Sequence, residues 1–218
     1  MKTPDAIAGA VLDPVLAAPR HGRRRLVAIA GPPASGKSTI STILARLMTG
    51  AGYPAEVVPM DGFHLDNTVL SELGFLNRKG APETFDSAGL LRLVPALAND
   101  RQVFYPTFDR DRDLAIGGAG SVGPECDTVL VEGNYLLFDA PVWRSLALSW
   151  DFSIRLDVKP AELERRLAHR WIDHGLSTEK ASIRAQGNDM KNAALVARHS
   201  LPASLVIGPG GQCARSLK

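Results

Sequence analysis

The chain has 218 residues, 45% of them hydrophobic and 22% charged, which is long enough to bury a real core and ordinary for a globular protein. With 25 Lys and Arg against 23 Asp and Glu the net charge is +2, so bulk electrostatics point to no nucleic-acid partner. No apolar run approaches the ~20 residues of a membrane span, acidic residues interrupt any signal-peptide core, and the two distant cysteines, Cys126 and Cys213, fit neither a metal motif nor a disulfide framework, so a reduced, cytoplasmic setting is expected.

Residues 4–18 have weak helical periodicity and predict a short leading helix, followed by a polar link over 19–25. The Arg23-Arg24-Arg25 cluster reads as a solvated lead-in to the first strand. Leu26-Val-Ala-Ile-Ala30 is an apolar run and predicts a buried strand. Directly after it comes Gly31-Pro-Pro-Ala-Ser-Gly36-Lys37-Ser38, which fits G-x-x-x-x-G-K-[ST]. Residues 39–48 then carry apolar side chains at helical spacing. Strand, glycine loop and helix together are the context in which this pattern wraps phosphate.

The residue types have physical reasons. Gly31 and Gly36 allow backbone angles that let consecutive N–H groups point inward at phosphate oxygens. The helix beginning near Lys37 adds the positive end of its dipole. Nucleotide binding is therefore expected from Gly31, Pro32, Pro33, Ala34, Ser35, Gly36, Lys37, Ser38 and Thr39. Within that set, Lys37 reaches the terminal phosphates and the Ser38 hydroxyl ligates Mg²⁺.

The helix after the loop stops near Gly50 to Gly52, with Tyr53-Pro54 beyond. Residues 56–60 read as a second strand that ends at Asp61-Gly62-Phe63-His64. Residues 65–85 are mixed, and 90–97 have a helical pattern. Residues 103–116 alternate β-like pieces with Asp and Arg and predict a small hairpin or flap; the glycine-rich 117–123 predicts a loop. Buried strands are expected over 128–133, with Glu132 at the end, and over 152–158. Pro160 opens a helix through about His174, two more helical stretches lie near 179–186 and 189–199, and a last strand lies at 204–207. Strands alternating with helices imply a mainly parallel sheet covered on both faces.

Two acids, Asp61 and Glu132, end predicted strands, where ligands bind in open α/β sheets. Asp61 is the candidate general base and Glu132 the acid that orients Mg²⁺. The helix from Pro160 carries Arg165, Arg166 and Arg170; the last two share a face and could close over phosphates, although Glu162 stands at the spacing to pair with Arg166 on a solvated face. Arg78, Lys79 and the segment Tyr105-Pro-Thr-Phe-Asp109-Arg110 lie between strands, where an acceptor pocket could be built.

In order along the chain stand Gly31-Pro-Pro-Ala-Ser-Gly-Lys-Ser-Thr39, Met60-Asp-Gly-Phe-His-Leu65, Arg78-Lys-Gly-Ala-Pro-Glu-Thr-Phe-Asp86, Tyr105-Pro-Thr-Phe-Asp-Arg110 and Val131-Glu-Gly-Asn-Tyr-Leu-Leu137. Over residues 25–207 this resembles the P-loop kinases of the uridine kinase, pantothenate kinase and phosphoribulokinase group, nearest to the fructose transport system kinase branch. The resemblance implies a three-layer P-loop NTPase sandwich, α/β, with a small substrate flap and a helical lid. It implies a single kinase domain: 1–24 as leading helix and link, 25–60 as the nucleotide core, 61–126 as the acceptor-binding region and 160–188 as the lid. By matching position it implies Lys37 and Ser38 on phosphate and Mg²⁺, Asp61 as base, Glu132 as the acid of the Glu-Gly turn, and Arg166 and Arg170 as lid arginines. Arg78 to Asp86 is similar to a segment near the acceptor of bacterial pantothenate kinases. There are departures: Ala34 where glycine is common, Gly175-Leu176 where uridine kinases have Gly-Arg, and His64 where they have tyrosine. His64 either contacts the acceptor or supports a strand–loop junction.

The expected activity is ATP- and Mg²⁺-dependent transfer of phosphate to an alcohol of a small metabolite. A sugar such as fructose, a nucleoside such as uridine, and a pantothenate-like alcohol all stay open as acceptor. The rival reading is a regulatory nucleotide switch with no acceptor; the chain has no Asn-Lys-x-Asp guanine-reading motif. A nucleoside monophosphate kinase is a third reading, but a phosphate acceptor would want more arginines in its pocket. A homodimer is the commonest assembly for such a chain.

Overall fold

The structure is a computed structural model that describes residues 2–173 and 175–215; the expected helix end at His174 lies outside them. In chain order the helices are α1 (Pro4–Leu16), α2 (Lys37–Gly50), α3 (Asn67–Glu72), α4 (Ser87–Asn99), α5 (Pro160–Asp173), α6 (Thr178–Arg184) and α7 (Met190–Arg198). The strands are β1 (Arg25–Ala30), β2 (Ala55–Pro59), β3 (Val103–Asp109), β4 (Leu114–Val122), β5 (Thr128–Gly133), β6 (Phe152–Leu156), β7 (Leu205–Ile207) and β8 (Cys213–Arg215).

Six strands form one sheet in the order β2-β5-β1-β6-β7-β8, parallel except for the antiparallel edge strand β8. All six residues of β1 and all six of β5 are buried, as expected for central parallel strands covered on both faces. Alternation divides their side chains between two cores. Val27, Ile29, Leu130 and Ile154 pack with Ile40, Leu44 and Met48 of α2 and with Ala8, Val11 and Val15 of α1. Ala28, Ala30, Val129 and Val131 face the other way, onto Leu90, Val94 and Leu97 of α4 and onto Trp143 and Leu146. The register sets Pro59 beside Glu132 and Ala30 beside Gly133. Strand ends carrying Asp61, Glu132 and the phosphate loop therefore emerge at one edge of the sheet.

Three expectations change. The glycine-rich 117–123 is not a loop: most of it is the return strand β4, paired antiparallel with β3. A side chain at Gly120 would overlap the Tyr105 ring, so glycine here makes room for an aromatic cross-strand neighbour. The second change concerns the arginine cluster. Arg24 is fully buried, and its guanidinium donates to the carbonyls of Leu97 (3.1 Å), Asp100 (2.7 Å), Arg101 (2.8 Å) and Gly123 (2.9 Å). Arg25 is buried as well and donates to Ala18 O, Leu16 O and Thr128 Oγ1. The run is a structural clamp, because five donors in a rigid fork can satisfy chain ends that converge without a sheet partner. Thirdly, α6 and α7 are not separate stretches; a π-helical turn, Ala185–Asp189, joins them.

Candidate active site

In the phosphate loop a side chain on Gly31 would crowd Ser35 Oγ (2.9 Å) and Leu156 O (3.1 Å). Gly36 has φ +96°, a left-handed conformation, at the entry to α2. Ala34 is also left-handed at φ +59°, which gives a physical reason for the glycine common at that position. Lys37 is 8% exposed, and its ammonium donates to Pro32 O (3.1 Å) and Asn134 Oδ1 (2.9 Å). Burial pushes its pKa down, opposed by the nearby Glu132 and Asp61 carboxylates. Among the described residues no carboxylate is in hydrogen-bond contact with the Lys37 ammonium, and such a desolvated cation is a strong point of attraction for phosphate.

Ser38 Oγ donates to Glu132 Oε1 at 2.9 Å. Burial pushes the Glu132 carboxyl up, against the pull of Lys37. A hydroxyl and a carboxylate in contact are hard oxygen ligands and suit Mg²⁺. Among the described residues no group of three or more His, Cys, Asp or Glu forms a metal site.

Asp61 follows β2 and accepts from Arg110 Nη2 at 2.7 Å. Both line a cleft of 240 Å³ over the loop, together with Lys37, Ser38, Glu132 and Arg170. Asp61, Arg110, Asn134 and Arg170 also line a cavity of 530 Å³ bounded by the β3–β4 hairpin, residues 64–80 and the lid. The acid thus stands at the neck between two joined spaces, one over the phosphate loop and one beyond it.

The remaining expected residues fall into different places. His64 lines the larger cavity, packs tilted against Phe85 (ring centroids 4.0 Å apart) and Phe108 (4.7 Å), and donates from Nδ1 to Asp61 O at 2.8 Å. Burial lowers its pKa. Lys79 lines the cavity too, held by Asn67 Oδ1 (2.6 Å) and the Asp113 carboxylate (3.0 Å). Arg78 is exposed, pairs with Glu83, and lies outside the cavity lining. Tyr105 is buried under β2, donating to Val57 O at 3.1 Å. Asp109 accepts from the backbone N–H groups of Asp111 and Arg112 and shapes the hairpin tip. The two lid arginines diverge. Arg170 reaches the cleft, whereas Arg166 lies behind the loop, donating to Ala34 O (3.3 Å) and Ser35 O (3.4 Å) and pairing with Glu162. Arg165 and Arg166 pull Glu162 down to about 2.

Sequence reasoning missed Asn134, although it stands two residues after Glu132 in a quoted motif. It also missed Asn188, Asp189 and Asn192, which the π-turn and α7 bring to the cavity wall. No spacing in the sequence announces those three.

A buried parallel strand, a glycine loop wrapped for phosphate and an acid at the neck of a second cavity define a phosphate-loop nucleotide enzyme with room for a second substrate. No protein-family model matches the chain. The crystal structure of a protein from Silicibacter sp. TM1040, provisionally described as a fructose transport system kinase, superposes with TM-score 0.87 at 55% identity, covering 94% of this chain and 99% of that one. C227.14 of Schizosaccharomyces pombe, provisionally named a uridine kinase, is 32% identical over 86% of this chain and 84% of its own length. The pantothenate kinase of Leifsonia xyli is 33% identical over 72% of this chain, which spans 49% of that enzyme. The chain belongs to the P-loop kinases of the uridine kinase, pantothenate kinase and phosphoribulokinase group, enzymes that phosphorylate small metabolites. Among the described residues no helix is long and apolar enough to cross a membrane.

Proposed function

We propose that this kinase moves the γ-phosphoryl group of ATP to an alcohol hydroxyl of a small metabolite. The observation that carries the reading is the position of Asp61, which is ion-paired to Arg110 where the phosphate cleft opens into the 530 Å³ cavity. An acceptor in the larger cavity presents its hydroxyl to the Asp61 carboxylate, which takes the proton as the oxygen attacks. Lys37 and Arg170 meet the charge that spreads over the transferring group. Ser38 and Glu132 hold Mg²⁺, which when bound neutralises charge on the phosphates. The nucleotide base goes to a third groove of 240 Å³, which runs from Gly36 and Thr39 past Ile7, Arg166 and Pro209. Asn134 positions the Lys37 ammonium by accepting through Oδ1, and it lines both the cleft and the cavity.

The test is ADP release from Mg·ATP with a panel of sugars, nucleosides and pantothenate, the product identified by mass. An acceptor that raises turnover well above the acceptor-free rate and gains one phosphoryl group supports the reading. Tight ATP binding with no stimulation by any alcohol counts for the nucleotide-switch reading instead.

A further inference from the structure

Asn192 is 4% exposed, lines the 530 Å³ cavity, and among the described residues its side-chain amide makes no hydrogen bond. It stands on α7 with its Nδ2 turned toward Gly80, across the cavity from the hairpin. Neither amide atom is among the fully buried side-chain atoms that lack a partner, so donor and acceptor both open into the cavity, where a ligand can take them up in place of water. Asn188, one turn earlier, spends one amide hydrogen on Lys79 O (2.8 Å), so that wall is anchored to the 79–80 segment while Asn192 remains open.

Charge narrows the ligand. Among the described residues seven charged side chains line the cavity: Asp61, Lys79, Arg110, Asp113, Arg170, Arg184 and Asp189. Asp61 is paired with Arg110 and Lys79 with Asp113. Arg170 is shared with the phosphate cleft and answers the phosphoryl charge. That leaves Arg184, whose guanidinium lies over the Trp171 ring 4.3 Å from its centroid, and Asp189, whose carboxylate accepts from the indole N–H at 2.8 Å. Among the described residues the acceptor side is therefore balanced in charge, rich in amides and bordered by Trp171 and Phe108.

Resting on the kinase reading above, we propose that Asn192 is a specificity-determining residue that binds a vicinal diol of a neutral polyhydroxylated acceptor. One hydroxyl accepts from Nδ2 and its neighbour donates to Oδ1, a reciprocity that a carboxylate cannot provide because it only accepts. The reacting hydroxyl of the same molecule lies toward Asp61, and Trp171 and Phe108 border its C–H surface.

The experiment has a binding arm and a turnover arm. Trp171 borders the cavity, so equilibrium titration with D-fructose, D-ribose, the matching 2-deoxy sugar and D-gluconate is followed by tryptophan fluorescence, with Trp171→Phe as the control for signal origin. The expected result is saturable binding of the neutral diols and a loss of about tenfold in their affinity in Asn192→Leu, the size expected for two neutral hydrogen bonds. Asn192→Asp, nearly the same in shape, keeps the acceptor and loses the donor, and is expected to weaken the same sugars while remaining folded by thermal melt. In turnover, the acceptor KM rises in both variants while the ATP KM moves less than about twofold. Binding of D-gluconate tighter than every neutral sugar, no saturable binding of any neutral diol, or unchanged affinity in both folded variants overturns the proposal. Diol binding lost in the Asn192 variants without phosphoryl transfer in the wild type would leave the assignment standing and remove the kinase reading beneath it.

Discussion

Replacing Asp61 with Asn separates a base from a structural acid. Asp61 is a quarter exposed and its partner Arg110 half exposed, so solvent screens their 2.7 Å ion pair. Such pairs contribute about 1 kcal/mol or less to stability. Asparagine keeps the shape and an oxygen that Arg110 can still donate to. Folding should therefore lose no more than about 1 kcal/mol, and ATP affinity should hold, because the cleft loses a negative charge next to the phosphates. Catalysis should suffer far more. A positioned general base contributes about 10²- to 10⁴-fold, equivalent to about 2.7–5.5 kcal/mol of barrier. The assay is acceptor-stimulated ADP release with the acceptor identified by the panel, alongside a fluorescent-nucleotide titration and a thermal melt. A kcat within about threefold of wild type, with the melt unchanged, would refute the assignment of Asp61 as base.

Arg24→Leu strips donors from four inward carbonyls, and should cost about 3–5 kcal/mol and lower Tm by about 10 °C, read as a fall in the urea midpoint; a loss under about 1 kcal/mol would contradict the clamp. Tyr105→Phe removes one hydrogen bond to Val57 O and should cost about 1 kcal/mol of stability with the acceptor KM unmoved, whereas a raised KM would put Tyr105 in the acceptor site. His64 is held neutral by burial, with its folded pKa below the ordinary 6.5. The unfolded chain takes up that proton first, so the stabilisation is complete above pH 6.5 and is lost as pH falls toward the lowered value. Urea unfolding at about pH 8 and about pH 5.5 should show a drop in the wild type that is smaller in His64→Phe by about 1 kcal/mol; equal drops would mean that His64 does not carry the effect.

The central strands and the phosphate loop were legible because their signals are local and strong. A run such as 26–30 has no polar position, and the loop needs glycine at fixed offsets. Asp61 and Glu132 were legible by topology, since both end strands of one parallel sheet. The return strand β4 was not, because its glycines answer to the ring of Tyr105 across the hairpin rather than to their own neighbours in sequence. Arg24 looked like a surface charge for the same kind of reason: the carbonyls that bury it arrive from residues 97–101 and 123. Arg166 and Arg170 share a helix face in sequence terms, yet one turn of rise suffices to put them on opposite sides of the loop. Asn192 carries no signal at all until the π-turn sets its phase.

The hairpin is fixed to the sheet at several points at once. Gly62, next to Asp61, has no room for a side chain because the carbonyl of Pro106 fills the space; the Tyr105 hydroxyl is tied to β2, and Arg24 grips the end of α4 together with the carbonyl of Gly123 just beyond β4. The 530 Å³ cavity thus has one wall tied to the sheet, which carries Asp61 and Arg110, and another made of α5 to α7, whose chain enters after β6 and returns to the sheet at β7. Under the kinase reading, the wall tied to the sheet sets where an acceptor hydroxyl must sit, and the α5–α7 wall sets how large an acceptor the gap admits.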